Sequence, residues 1–344
     1  MEKSILLPSP CGLSREEILE ILMREEYGNI PAPAHTVTAT LESCDKKFCA
    51  GKADLQKLIL HCEADFGSFS FPLYYVCPNN APSPVPAFIH INFRDLIPDR
   101  YQPTEELIDA GYATLTFCYN DITADNGDFS DGLAGVLYPD GVQTADGCGK
   151  LGMWAWAART VMDFAQTRPE LDHARIAVAG HSRLGKTALL TGAIDPRVSC
   201  AFSNDSGCGG AAIARENTGE TVRAITKNFP YWFCKRYFAY IDNEDAMPFD
   251  QHYLLAANAP HAVYVASAVE DLWACPENEY LSCVAAGEYY QCAGLDGFVH
   301  PGRLPHVGDA FHEGIIGYHL RAGKHYFSRE DWLRYLEFRT RHGV

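Results

Sequence analysis

The order of segments along the chain predicts an α/β fold: a mostly parallel central sheet flanked by helices as a three-layer sandwich, with an N-terminal antiparallel lead-in. Three observations predict it. From about residue 85 onward, short continuous apolar runs alternate with segments of helical periodicity, the rhythm of strands buried on both faces by crossover helices. Between residues 34 and 78, apolar and polar residues instead alternate singly, as in Thr36-Val37-Thr38-Ala39-Thr40-Leu41 and Ser68-Phe69-Ser70-Phe71, the pattern of half-exposed antiparallel strands. Finally, 344 residues with 47% hydrophobic and 21% charged content suffice for one large core.

Taken in order, residues 14–27 read as a helix, with Ser14 as N-cap and Glu17 closing a capping box. The lead-in strands follow and end at a proline-rich turn over residues 78–84. Residues 87–93 form an apolar strand, residues 104–110 a helix capped by Thr104, and residues 113–119 a second strand. Residues 154–166 carry apolar residues at helical spacing. Ile176 to Ala179, then residues 200–203, 262–268 and 315–320, are further buried strands, and a last helix starts near Ser328. No repeat or low-complexity linker interrupts the chain. The expected organisation is one domain, 1–344, with residues 1–80 as helix and lead-in and 85–344 as the core.

The densest chemical signal is Gly180-His181-Ser182-Arg183-Leu184-Gly185-Lys186, set between a strand and a run of helix formers. A serine at a sharp strand-to-helix turn between glycines is the nucleophile elbow of α/β-hydrolases. The glycines leave room where a Cβ would collide, and the helix aims its N-terminal partial positive charge at the serine. The same residues satisfy the G-x-x-x-x-G-K-[ST] phosphate loop, but His181, Arg183 and Leu184 are bulky where a backbone cradle favours small residues. A serine needs a general base and an orienting carboxylate. His325, in a loop after the last strand and before the last helix, has the position for the base. His319 falls within a strand and reads as structural, while His300, His306 and His312 compete less well. Two acids follow strand ends, Asp205 and Asp271, and either also suits a turn or helix cap. Spacing leaves that choice open.

Over residues 85–335 the chain resembles the glucuronoyl esterases of carbohydrate esterase family 15 and their bacterial relatives. Tyr119-Asn120-Asp121-Ile122, Met153-Trp154-Ala155-Trp156, the elbow, Asn204-Asp205-Ser206-Gly207-Cys208-Gly209-Gly210, Pro248-Phe249-Asp250-Gln251-His252 and the Trp273 segment carry the resemblance. The family's elbow reads G-C-S-R-x-G-K, so His181 stands in place of its cysteine. The resemblance implies Ser182 as nucleophile and His325 as base. It matches Asp205 to the family's Q-E-S-G carboxylate, one methylene shorter, while some bacterial members place an acid near Asp271; Asp205 is favoured slightly. It implies Arg183 at the oxyanion, Lys186 on sugar hydroxyls and Trp273 along the uronate site. Gly207 to Gly210 reads as a tight turn holding Asp205, and the aromatic run Phe229 to Phe233 as core or lid.

A net charge of −16 disfavours nucleic acid and anionic membrane surfaces as partners, and no apolar run reaches the length of a membrane span. Thirteen cysteines without C-x-x-C pairs, in a chain whose first residues read as no signal peptide, suggest buried free thiols and a cytoplasmic location. No H-E-x-x-H occurs, so no metal or cofactor is expected. The expected function is hydrolysis of a carbohydrate ester, either a uronate ester or an acetylated sugar, through a Ser-His-Asp triad. The alternatives are a small-molecule esterase or peptidase of the same fold, or a non-catalytic carbohydrate-binding member.

Overall fold

The computed structural model describes residues 5–82 and 84–344; Ser83 of the proline-rich turn and Met1 to Ser4 lie outside the described residues. Ten strands form one sheet: β1 (Thr36–Lys47), β2 (Ala53–Ala64), β3 (Gly67–Pro78), β4 (Val85–Asn92), β5 (Ala113–Cys118), β6 (Leu171–His181), β7 (Cys200–Asn204), β8 (Ala262–Ala268), β9 (Ala310–Phe311) and β10 (Ile316–Arg321). Their spatial order is β1-β2-β3-β5-β4-β6-β7-β8-β10-β9. From β5 through β10 every neighbouring pair is parallel. The lead-in strands β1 to β3 are antiparallel, as is the short edge strand β9.

Six helices matter for the site: α1 (Arg15–Leu22), α2 (Thr104–Asp109), α3 (Lys150–Ala165), α4 (Arg183–Ile194), α5 (Pro276–Cys292) and α6 (Arg329–His342). Alternate residues of each parallel strand enter different cores, because successive side chains of a strand point to opposite faces. Ile176 and Val178 of β6, Ile89 of β4 and Val263 of β8 join the larger core with side chains of α1, α3, α4 and α5. Ala177, Phe88 and Tyr264, their strand neighbours, pack with Leu107 of α2 and Trp332, Tyr335 and Phe338 of α6. Both faces of the parallel strands are therefore dry, which explains their unbroken apolar runs. The arrangement is an α/β-hydrolase fold.

Two expected local features differ. The N-terminal helix keeps its Ser14–Glu17 capping box, but its α-geometry stops at Leu22 and continues as a π-helical turn, Met23–Tyr27. The wider turn swings Glu26 and Tyr27 inward, where Gln251 Nε2 donates to Glu26 at 3.0 Å and the Tyr27 hydroxyl donates to the Gly209 carbonyl at 3.0 Å. Thr104 is the first residue of α2 and not its cap, because its hydroxyl turns back to the Gln102 carbonyl. Most of the thirteen cysteines are buried and all are free thiols. No helix among the described residues is long and apolar enough to cross a membrane.

Candidate active site

The C-terminal ends of β6, β7, β8 and β10 meet along one edge of the sheet, where open α/β sheets build their sites. Ser182 follows β6 with φ 58° and ψ −127°, a conformation that costs a residue with a Cβ about 1–3 kcal/mol. Local contacts hold it there. The Ser182 N–H donates to the Asn204 carbonyl at 2.8 Å, extending the β6–β7 ladder, and the Ser182 carbonyl accepts from Gly185 at 2.8 Å and Lys186 at 3.1 Å as α4 begins. At Gly180 a Cβ would run into the Leu184 carbonyl, and at Gly185 it would crowd Ser203 and Ser206. The elbow turn thus requires its first glycine and leaves little space at its second.

His325 lies in the loop between β10 and α6, at the mouth of a cavity of about 330 Å³ that Ser182 also lines. Its Nδ1 donates to Asp271 Oδ2 at 2.6 Å. Asp271 is buried at the end of β8, with its other oxygen accepting from the Ala274 N–H at 3.4 Å. Asp205, the acid favoured slightly by sequence, makes a different contact: its Oδ2 accepts from Arg321 at 3.1 Å and from the Tyr326 N–H at 3.3 Å. The imidazole's hydrogen bond thus runs to the loop after β8, while the acid after β7 faces a guanidinium. Burial pushes the Asp205 carboxyl well above the ordinary aspartate value, Glu279 adds to the shift, and Arg321 opposes it. Atoms of Asp205, Asp271 and His325 lie within 4.8 Å of one another, the one grouping of metal-ligand types found among the described residues. Two of those side chains are already bonded to each other and the third to a cation, a donor set poorly disposed toward a metal ion.

Beneath His325, its ring centroid 4.4 Å away, lies the buried ring of His181. The His181 Nδ1 donates to Asn204 Oδ1 at 2.6 Å. Burial, reinforced by His325, drives its pKa down to about 3, so it stays neutral beside the loop histidine.

The cavity walls take in the other sequence candidates. Arg183 is paired with Asp125 and lies over Trp232 and Phe229, at 4.9 and 5.2 Å from their ring centroids. Those two rings stack at 3.9 Å, and the Trp232 indole N–H donates to Asp125 at 2.8 Å. The aromatic run read as core or lid therefore also braces this arginine. Lys186 lines the floor, but its ammonium donates to the Ser206 carbonyl at 2.6 Å, to the Cys208 carbonyl, and to Glu220 at 3.2 Å. The glycine-rich turn after β7 thus holds Lys186, while Asp205 is held from β10 and its loop. Trp273 is half exposed at the rim. Sequence reasoning missed Glu220, Asp125 and Arg321. Glu220 and Asp125 sit in irregular loops without a spacing rule, and Arg321 merely ends an apolar strand.

The sequence profile described as "Glucuronyl esterase, fungi" matches residues 61–294. Carbohydrate esterase MZ0003, from an unknown prokaryotic organism, is 41% identical over 245 residues, covering 69% of this chain and 55% of that protein. The 4-O-methyl-glucuronoyl methylesterase of Podospora anserina is 30% identical over 299 residues, covering 83% of this chain and 57% of its own length. This chain thus spans just over half the length of these two relatives. Among solved structures, a promiscuous CE15 esterase from a marine bacterial metagenome superposes with a TM-score of 0.88 at 30% identity, covering 99% of this chain and 98% of that one. A match across the elbow strand, the β7 and β8 ends and all of α5 places this chain in the glucuronoyl esterase family, carbohydrate esterase family 15.

Proposed function

We propose that this protein is a serine carboxylic-ester hydrolase acting on carbohydrate esters, with a uronate ester of the 4-O-methyl-glucuronoyl type as its first substrate class. One observation carries the chemistry: a serine held at φ 58° opens onto the same cavity as a histidine whose Nδ1 is fixed on a buried aspartate. In this reading Ser182 loses its proton to His325 Nε2 and attacks the ester carbonyl. Asp271 holds the imidazole in the tautomer that accepts that proton and balances the imidazolium that forms. The oxyanion is met by the Arg183 guanidinium and by N–H groups at the start of α4. His325 then protonates the departing alcohol, and water releases the acid by the same steps in reverse.

The sugar side of the assignment draws on the name of the fungal relative and on the cavity walls. A volume near 330 Å³ is at the small end for ligand sites and suits a single sugar ring. Trp273 offers an indole face at the rim, and Glu220 offers a carboxylate to sugar hydroxyls.

The test compares wild type with Ser182→Ala on methyl and benzyl glucuronate esters, acetylated xylo-oligosaccharides and p-nitrophenyl acetate. The expected outcome is turnover of the uronate esters, and a loss of about 10⁴-fold or more in the variant. Turnover confined to the acetate would assign a small-molecule esterase. Equal inertness of both proteins on every ester, with retained sugar binding, would leave a carbohydrate-binding member of the fold.

A further inference from the structure

Arg321, the last residue of β10, is buried and ends the strand immediately before the loop that carries His325. Its guanidinium works on both sides of that histidine. NH1 donates to the Ala322 carbonyl at 3.0 Å and the Lys324 carbonyl at 3.2 Å, and NH2 donates to the Tyr326 carbonyl. The carbonyls on either side of His325 are therefore tied to one planar group.

That group is itself anchored by two carboxylates from other elements. Nε donates to Asp331 in the first turn of α6, at 2.9 and 3.1 Å to its two oxygens. NH2 donates to Asp205 at the end of β7. Asp331 is fixed in turn by the Ser328 N–H at 2.6 Å and by His319 Nε2 at 3.0 Å, and the Tyr264 hydroxyl holds the other nitrogen of His319 at 3.1 Å. Burial opposes ionisation of Asp331, but its bonds to His319, Arg321 and Ser328 keep its carboxyl below the ordinary value.

We propose that Arg321 is the positioning residue of the His325 loop, clamped by Asp331 and Asp205, so that Asp205 acts on the histidine through Arg321 and not as its direct acid. A fork of five donors suits this task. It spans two carboxylates and three carbonyls in one plane, which a lysine's three rotating donors cannot do. The geometry also explains why an aspartate at the β7 end leaves the imidazole to Asp271: the guanidinium holds one of its oxygens. This inference rests on the triad reading above.

The test measures kcat and KM for p-nitrophenyl acetate and a benzyl glucuronate ester in Arg321→Lys, Asp205→Asn, Asp271→Asn and Ser182→Ala, with melting temperature as the folding control. Misplacing a catalytic group by about an ångström costs about 10²-fold. Arg321→Lys is therefore expected to lose about 10- to 100-fold in kcat with KM within about threefold, and in a further variant, Arg321→Ala, guanidinium ion at low concentration is expected to restore part of the rate. Asp205→Asn should lose about 3- to 10-fold, and Asp271→Asn about 10³-fold or more. Should the Arg321 variants fail to fold, Asp205→Asn still decides. A loss matching that of Asp271→Asn at unchanged melting temperature would make Asp205 a direct acid and overturn the clamp. A low-field Nδ1 proton of His325, expected in the NMR spectrum of wild type from its 2.6 Å bond to Asp271, should persist in Asp205→Asn and vanish in Asp271→Asn. Wild-type kcat in both Arg321→Lys and Asp205→Asn, with Ser182→Ala inactive, would sink the clamp and leave the triad standing. An active Ser182→Ala would show instead that the triad reading had failed, and the clamp would fall with it.

Discussion

Ser182 concentrates the conflict between stability and chemistry at a single residue. Its backbone occupies a region that glycine enters freely and serine does not, and the elbow keeps it there through the Asn204, Gly185 and Lys186 hydrogen bonds. Replacing Ser182 by glycine should release that strain while removing the hydroxyl. After allowing for the greater freedom of an unfolded glycine, Ser182→Gly is expected to exceed Ser182→Ala in unfolding free energy by about 1 kcal/mol, read from denaturant midpoints. An alanine variant as stable as the glycine variant would show that the turn carries no strain. Reach decides the two acids at the same scale. Both aspartates end neighbouring strands, but one faces an imidazole at 2.6 Å and the other a guanidinium at 3.1 Å. No spacing rule carries that distinction, because it depends on which side chain β10 and its loop deliver opposite each strand end.

Among elements, α5 has a role that its sequence barely announces. Its Glu279 is fully buried and accepts from the Ser206 and Gly207 N–H groups at 2.8 and 2.9 Å and from the Ser267 hydroxyl at 2.6 Å. The helix thus props the turn after β7 and the end of β8 from behind. Burial raises the Glu279 pKa to about 7, against its hydrogen bonds. Between pH 4.5 and 7 the folded protein therefore holds a proton that the unfolded chain has released, so this group's contribution to stability falls as pH rises and levels off above 7. The unfolding free energy of wild type relative to Glu279→Gln is expected to decline by about 3 kcal/mol across that window, at about 1.4 kcal/mol per unit. A pH-independent difference between the two proteins would rule out the buried proton. Elements with strong periodicity or caps, such as β8 and the Ser328-capped α6, were legible in the sequence because local preference and burial agree there. The π-helical turn after α1 was not, since Glu26 and Tyr27 face inward to meet Gln251 and Gly209, partners remote in sequence.

At the scale of the whole molecule, α6 closes one face of the sheet and ties its parts together through Arg339. The buried guanidinium donates to the Ala87 carbonyl of β4 at 2.9 Å, to the Arg175 carbonyl of β6 at 2.6 Å and to the carbonyl of Val344 at 2.6 Å. It also lies over Phe88 and Tyr112, at 4.4 and 4.7 Å from their centroids. Burial lowers its pKa to about 10. Arg339→Met keeps the stem and strands three acceptors, of which the Ala87 carbonyl is buried, and should cost about 2–4 kcal/mol in thermal or denaturant unfolding while leaving kcat of the folded fraction unchanged. A variant as stable as wild type would mean that the desolvation cost of the arginine cancels its hydrogen bonds.

The alternation of residues along the chain was by itself enough for the fold class, the antiparallel lead-in, the strand that ends at Ser182 and the loop that carries His325. Those features follow from local rules: burial period, turn chemistry and the space that a glycine leaves. Only the tertiary structure decided that Asp271 takes the histidine, that Asp205 belongs to Arg321, and that Lys186 is bound by the turn after β7. Each of those pairings joins strand ends or loops far apart in sequence, and the partner of a buried charge is set by where the sheet's register and the loops after each strand bring the next one.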